Sequence, residues 1–224
     1  MDRSTTASDV ARPGHEPGHD LGFESGLLRC GWAGADGPRP DPLMVIYHDS
    51  EWGTPVSDDV ELFERLTLEG FQAGLSWSTI LRKREAFRLA FRGFDPTVVA
   101  AFGVDDRARL LDDAGIVRNR AKVDATIANA ARFLEVVDEG GSFAAYLAMW
   151  ASTPPLPLPR DSAHGDVPAR TVASDALSAD LRRRGFGFVG STIVYAFMQS
   201  VGLVDDHLPS CFRYRGGAST SSSP

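Results

Sequence analysis

Apolar residues between the two ends of the chain recur mostly at intervals of three and four, the spacing that gathers them on one face of an α-helix. Alternation of period two is sparse, so the pattern indicates few strands. The pattern therefore predicts a mainly helical chain. The expected helices lie near 58–71, 77–91, 96–102, 105–113, 118–138, 142–150, 174–184 and 190–202.

Other segments lack this periodicity. Residues 26–56 contain too many glycines and prolines for a long helix, and the Pro-rich stretch 152–171 is predicted to be a long surface loop. Residues 1–25 and 216–224 are poor in apolar residues and are predicted to be disordered tails. Between the tails we expect a single domain over 26–215, although the length would also suit two small domains.

The composition is typical of a soluble globular protein, with 43% hydrophobic and 24% charged residues in a chain of 224. No apolar run approaches the ~20 residues that span a bilayer, and the first residues lack the apolar stretch of a signal peptide. The default expectations are therefore a cytoplasmic location and no membrane partner. Disulfides are rare in that compartment.

The net charge of −7 argues against a nucleic-acid partner, since such proteins are usually basic. Part of the negative charge, however, lies in residues 1–25, and basic residues cluster locally at 82–84, 118–122 and 182–184. Each such cluster alone is typical of a solvated helix face. Charge therefore weakens the nucleic-acid hypothesis without removing it.

Four potential metal ligands lie near the two ends of the predicted domain: Cys30, His48, His207 and Cys211. Two cysteines and two histidines are a common zinc ligand set, and the spacing of the late pair brings both side chains to one side of a turn. A shared metal would join the two termini of the domain. Two alternatives remain open, namely packed core residues that share no ligand, and a disulfide between the two cysteines.

A carboxylate on the first predicted helix falls on its apolar face. Leu62 and Leu66 define that face, and the helical repeat adds Glu69 to it. A buried carboxylate must find partners or shift its pKa. Trp77 follows after a segment with two glycines, so carboxylate and indole could form a pocket wall. The alternative is that Glu69 caps or pairs locally and that Trp77 is core.

A glycine-rich segment over 185–190 joins two predicted helices. Backbone N–H groups at the start of the second helix can bind a phosphate, and glycines allow a nucleic-acid backbone to approach closely. This helix-hairpin-helix pattern makes Gly185, Gly190 and Ser191 candidate DNA contacts. An ordinary αα-hairpin is the alternative.

Taken together, these motifs resemble the DNA-3-methyladenine glycosylase I family. The similar stretches cover nearly all of 29–211 in the family's order. They are Arg29–Trp32, Tyr47–Gly53, Leu68–Trp77, Asp113–Ile116, Ser174–Ser178, Arg184–Gly190 and Gly202–His207.

The resemblance implies an all-α helix-hairpin-helix DNA glycosylase fold, with a structural Zn²⁺ held by the four Cys and His residues named above. It also implies an enzyme that flips out 3-methyladenine from alkylated double-stranded DNA and removes it hydrolytically. A monomer is expected. In this scheme Glu69 is catalytic and contacts the extruded base, and aromatic residues surround that base: Tyr47, Trp77, Trp32 and Trp52.

The resemblance further implies that Gly74 and Leu75 fill the gap left in the duplex. This chain departs from the family at Met44, where a second tyrosine is frequent, so its substrate range could differ. Asp205 occupies the position of a catalytic aspartate in related glycosylases, although its proximity to a proposed zinc ligand could turn it elsewhere.

Strand-cleaving relatives use a lysine just after the hairpin, whereas no lysine follows Lys122 here. A monofunctional enzyme is therefore expected. Two other hypotheses are a zinc-dependent hydrolase, which needs one of the four residues not to be a ligand, and a helix-hairpin-helix protein that binds DNA without catalysis.

Overall fold

The computed structural model describes residues 26–34, 40–150, 152 and 155–216. These residues form nine α-helices and three short 3₁₀ turns, at Gly31–Ala33, Arg92–Phe94 and His164–Asp166, and contain no strand beyond one isolated bridge between Pro157 and Asp205. The helices are α1 (Pro42–Ser50), α2 (Asp59–Gln72), α3 (Trp77–Ala90), α4 (Pro96–Ala100), α5 (Val104–Asp112), α6 (Arg120–Gly140), α7 (Phe143–Ala148), α8 (Val172–Arg183) and α9 (Ser191–Ser200). The all-α prediction is confirmed.

Polar side chains fix where most of these helices begin. Each accepts a hydrogen bond from a backbone N–H of the first turn, which otherwise has no partner within the helix. These caps are Asp41, Asp58, Ser76, Asp95, Asn119, Ser142 and Thr171. The helix bounds therefore follow from local chemistry as well as from the apolar pattern.

Helix α2 runs through the main core and packs against α3, α6, α7 and α9. Eight fully buried phenylalanines fill the main core, and the rings of Phe133 and Phe143 lie 4.1 Å apart. The eight are Phe63, Phe71, Phe87, Phe91, Phe94, Phe133, Phe143 and Phe197. Deleting one such ring typically costs about 3–5 kcal/mol. This core holds α2, and with it Glu69, in a fixed position.

A second, smaller cluster joins the first and last described segments. Its buried members are Cys30, Tyr47, Trp52, Leu208 and Cys211. Trp77 packs against both clusters. Trp77 therefore lies at the boundary between the two clusters, in contact with side chains from distant parts of the chain.

The observed helices match the predicted ones to within two residues at most ends. Helix α1 was missed, because its nine residues lie in a segment rich in glycine and proline. Pro42 is compatible with a helix there because it occupies the first turn, where its missing N–H costs nothing. The tails predicted at 1–25 and 216–224 lie outside the described residues, apart from Gly216. Across the part of the chain described, no helix combines the length and apolar character needed to cross a membrane.

Candidate active site and metal cluster

The four cysteines and histidines noted in the sequence meet at one buried point. Their sulfur and ring nitrogen atoms all lie within 4.8 Å of one another. Nδ1 of His207 lies 3.8 Å from Sγ of Cys30 and 3.7 Å from Sγ of Cys211. Both cysteines are free, so the structure contains no disulfide between them.

This donor set could hold a metal ion. Two thiolates and two imidazoles suit a tetrahedral ion with bonds of about 2.3 Å to sulfur and 2.0 Å to nitrogen, which gives spacings between ligands close to those observed. Hydrogen bonding between the thiols raises the pKa of Cys30 and lowers that of Cys211. Nδ1 of His48 lies 2.8 Å from Oδ1 of Asp49, a contact that orients the ring.

Beside these four residues lies a cavity of about 430 Å³, which Cys30 also borders. Five aromatic residues line it: Trp32, Tyr47, Trp52, Trp77 and Tyr195. The ring centroids of Tyr47 and Trp77 lie 5.1 Å apart, and those of Trp32 and Trp52 lie 5.0 Å apart. A planar ligand entering this cavity would meet the faces or edges of several rings.

Glu69 projects from α2 into the same cavity, as its position on the buried face of the helix predicted. The residue is 4% exposed. It makes no hydrogen bond or ion pair with any other described residue, so the local pairing considered above does not occur. Burial raises the pKa of its carboxyl to about 8, although the Arg65 charge opposes this rise. The carboxylate is free to receive a ligand.

A second carboxylate, which the sequence analysis missed, lines the cavity. Oδ2 of Asp206 accepts hydrogen bonds from the Tyr195 hydroxyl at 2.5 Å and from Nε2 of Gln199 at 2.7 Å. Asp205 does not line the cavity. It is buried, and its Oδ1 accepts a long hydrogen bond of 3.4 Å from the backbone of His207. Which of two adjacent carboxylates faces the cavity depends on the backbone after α9, and no sequence pattern reports it.

The predicted surface loop also contributes to the site. His164, Val167, Pro168 and Ala169 form part of the cavity wall, and Met44 forms another part. The proline content indicated an irregular segment but gave no sign that the segment borders a cavity. The side chain at position 44 therefore does bear on what the cavity can hold.

The loop between α2 and α3 is rigidly held. The Lys122 ammonium donates hydrogen bonds to the carbonyl oxygens of Phe71, at 2.8 Å, and Ala73, at 2.7 Å. Gly74 adopts a left-handed conformation with φ of 82°, which glycine tolerates best. Leu75, at the tip, is 41% exposed. An apolar side chain is thus displayed on a loop fixed beside the cavity.

Helices α8 and α9 form a helical hairpin through residues 184–190. Gly185 has a φ of 92°, and Gly190 directly precedes the first turn of α9. Asn129 holds the turn from α6 by accepting from the N–H of Gly187 and donating to its carbonyl. The Ser191 hydroxyl donates to Asp175, so the group that Ser191 leaves for a ligand is its backbone N–H.

The sequence and the fold of this chain are similar to those of known proteins. A family model described as methyladenine glycosylase matches residues 37–214. The chain is 46% identical to DNA-3-methyladenine glycosylase 1 of Escherichia coli K12 over 85% of this chain and 98% of that protein. It is 43% identical to DNA-3-methyladenine glycosylase of Haemophilus influenzae over 82% of this chain and 96% of that protein.

Solved structures of 3-methyladenine DNA glycosylase I are also similar. One is 45% identical, with a TM-score of 0.77, and the match covers 84% of this chain and all of that one. Another, from Staphylococcus aureus, concerns 3-methyladenine recognition by that enzyme. It is 35% identical, with a TM-score of 0.76, and the match covers 82% of this chain and 96% of the other.

Proposed function

Because this chain belongs to the methyladenine glycosylase family, we propose that it removes 3-methyladenine from alkylated double-stranded DNA by hydrolysis of the glycosidic bond. The resemblance noted in the sequence is confirmed at the level of the family. The observation that carries the proposal is the unpaired, buried carboxylate of Glu69 within an aromatic cavity. Burying an acid without a partner costs free energy, so an apolar pocket that binds no ligand would not be expected to contain one.

The chemistry of the substrate fits that cavity. Adenine methylated at N3 is cationic while it is attached to deoxyribose, so the bond to be broken is already weakened. The harder task for the enzyme is then to distinguish the methylated base from normal bases. A carboxylate and electron-rich rings favour a cationic purine over a neutral one, by about 0.5–2 kcal/mol per ring from cation–π attraction and by charge-assisted hydrogen bonds to the base edge. We assign these contacts to Glu69, Tyr47 and Trp77.

The base must leave the duplex to reach the cavity. Extrusion costs a few kcal/mol, and less for a damaged pair, which adds selectivity. We assign the gap-filling role to Leu75, on the loop fixed by Lys122, and phosphate binding to the backbone of the hairpin at Gly185, Gly190 and Ser191. The exposed position of Leu75 and the free N–H groups at the start of α9 support these assignments.

We infer that the metal is a structural Zn²⁺. Four ligand atoms of the types zinc prefers, all buried and mutually close, leave no open position for water. The ion would hold the first and last segments together and would take no part in bond cleavage. A zinc-dependent hydrolase would need one of the four residues to lie apart from the others.

The enzyme should release the base without cutting the strand. A strand-cleaving glycosylase forms a Schiff base through an amine. The sequence contains two lysines, Lys83 and Lys122, and both ammonium groups donate hydrogen bonds to backbone carbonyls. Neither lysine follows the hairpin, where strand-cleaving relatives carry this amine.

The proposal is tested by incubating the purified chain with methylated double-stranded DNA and identifying the released bases by chromatography. We expect 3-methyladenine to be released by a monomeric protein, and Glu69→Gln to abolish most of the release. A protein that binds the duplex and releases no base would instead be a non-catalytic DNA-binding protein, and the proposed activity would be wrong.

A further inference from the structure

A fully buried arginine lies one helical turn before Glu69 and has no role in the function proposed above. Arg65 is 2% exposed on α2. Its Nη2 donates to Oε2 of Glu51 at 2.7 Å and to Oε1 of Glu61 at 2.8 Å. Its Nε and Nη1 are buried without a hydrogen-bond partner among the described residues.

Burying this side chain is costly. A buried donor without a partner costs about 1–3 kcal/mol, and an unbranched apolar side chain of similar length often replaces a buried ion pair without loss of stability. Packing alone therefore does not explain an arginine at position 65. The location of its guanidinium suggests an electrostatic role.

Arg65 lies behind the wall of the aromatic cavity. The guanidinium carbon is 5.7 Å from the centroid of the Tyr47 ring. Tyr47 lines the aromatic cavity and also a separate groove of about 630 Å³, whereas Arg65 lines the groove alone. The tyrosine ring thus lies at the boundary between the arginine's groove and the space proposed for the base.

Arg65 and Glu69 do not form an ion pair, although positions four apart on a helix can reach each other. The contacts with Glu51 and Glu61 hold the guanidinium away from Glu69. Glu51 is itself fixed by Nη1 of Arg84 at 2.6 Å. The restraint on Arg65 is therefore built from three helices and does not depend on one flexible contact.

We propose that Arg65 is a positioning residue for the base cavity: restrained by Glu51 and Glu61, it places a fixed positive charge behind Tyr47 that favours the ionised form of Glu69 while leaving that carboxylate free to bind the base. Direct pairing would occupy the carboxylate oxygens, and the absence of any cation would raise the pKa of Glu69 further. The restrained charge lowers that pKa and leaves the oxygens free. This inference rests on the proposed function, which gives the ionised carboxylate its purpose.

The other titratable groups that line the cavity with Glu69 are Tyr47 on α1, Tyr195 on α9, and Cys30, His164 and Asp206 in the flanking segments. Glu51 and Arg84 line the separate groove together with Arg65. Burial raises the pKa of Glu69, and Arg65 is the charge that lowers it. This lowering of the Glu69 pKa agrees with the position of the Arg65 guanidinium behind Tyr47.

The test is a ¹³C NMR titration of the Glu69 carboxyl, assigned with Glu69→Gln, alongside the pH profile of 3-methyladenine release. Arg65→Met should raise the pKa of Glu69 by about one unit, which lowers release at pH 7 about tenfold if the ionised form is required. Glu61→Gln should shift the pKa the other way, because it removes an anion that offsets Arg65. Arg88→Met, a substitution in the same groove, should change neither quantity.

An unchanged Glu69 titration in Arg65→Met, or a rise in Glu61→Gln, would overturn the inference. Glu61 is half-exposed, so its substitution keeps the test available if Arg65→Met fails to fold. The NMR titration does not depend on catalysis. A wild-type chain that releases no base at any pH would therefore reject the proposed function, while the titration would still report on Arg65.

Discussion

Nε2 of His48 lies 3.4 Å from Sγ of Cys211, so two residues 163 positions apart in the chain meet at one buried point. A metal bound at this point would close a loop that contains almost the entire domain. Metal binding to such a site is coupled to folding, because the unfolded chain does not preserve the ligand geometry.

Removal of one ligand should therefore destabilise the protein strongly. Cys211→Ala is expected to lower the free energy of unfolding by roughly 3 kcal/mol or more and Tm by about 10 °C. Calorimetry and elemental analysis measure these changes, with exposed Ser210→Ala as the matched control. Well-folded wild-type protein without bound zinc would contradict the prediction.

The cavity residues should affect catalysis without affecting general DNA binding. Glu69→Gln and Trp77→Ala should each lower 3-methyladenine release at least about tenfold, since base contacts and phosphate contacts are made by different groups. Release kinetics and binding to undamaged duplex measure the two effects. Glu85→Gln, on the exposed side of α3, should behave like wild type. Wild-type release by either cavity variant would remove that residue from the site.

Glu69 should lower stability in a pH-dependent manner. Its folded pKa, about 8, is above the ordinary value of 4.5, so the unfolded state holds fewer protons between these values and stability falls as pH rises through that window. Glu69→Gln removes the charge. Its Tm should exceed that of wild type at pH 8, and the difference should shrink towards pH 5. A difference that is constant with pH would show that the carboxyl is not perturbed.

Lys122 should matter for action on duplex DNA because it fixes the loop that carries Leu75. Lys122→Met removes the bonds to Phe71 and Ala73 and should lower release from duplex about tenfold, with a smaller effect on single-stranded substrate, which leaves no gap to fill. Lys83→Met is the matched control, since Lys83 binds carbonyls of Ala114 and Gly115. Equal losses on both substrates would argue against the gap-filling role of this loop.

The reaction should leave an intact abasic strand. Borohydride added during turnover should trap no covalent adduct between protein and DNA, because both lysine amines are hydrogen-bonded to backbone carbonyls. Denaturing electrophoresis detects such an adduct, with a strand-cleaving glycosylase on its own lesion as the positive control. A trapped adduct would overturn the monofunctional mechanism.

Much of the fold was predictable because its signals are local. The apolar repeat of α2 predicted both its bounds and the burial of Glu69, and the late His-x-x-x-Cys spacing marked a pair of candidate metal ligands. The early ligands were recognisable by residue type, but their approach to His207 and Cys211 depends on packing across the whole domain.

The features that escaped prediction depend on distant partners. Arg65 interrupts an apolar stripe, and the sequence alone would predict an exposed side chain at this position. Its partner Glu51 lies 14 positions away, outside α2, so no local pattern reveals the ion pair. Asp206 and Asp205 are equivalent as sequence, and only the path of the backbone turns the first towards the cavity. Networks of charged residues, and cavity walls formed by irregular segments, leave no periodic pattern in the sequence from which they could be predicted.

The smaller core cluster has a consequence for how the protein is made. Tyr47 and Trp52 enter this cluster together with Leu208 and Cys211. During synthesis, Tyr47 and Trp52 therefore emerge from the ribosome long before Leu208 and Cys211, the residues against which they pack. The main helical core can begin to form earlier, whereas the aromatic cavity can be completed only after Asp206 and Leu208 have emerged. A nascent or truncated chain that ends before residue 207 should be largely helical and yet unable to recognise a damaged base.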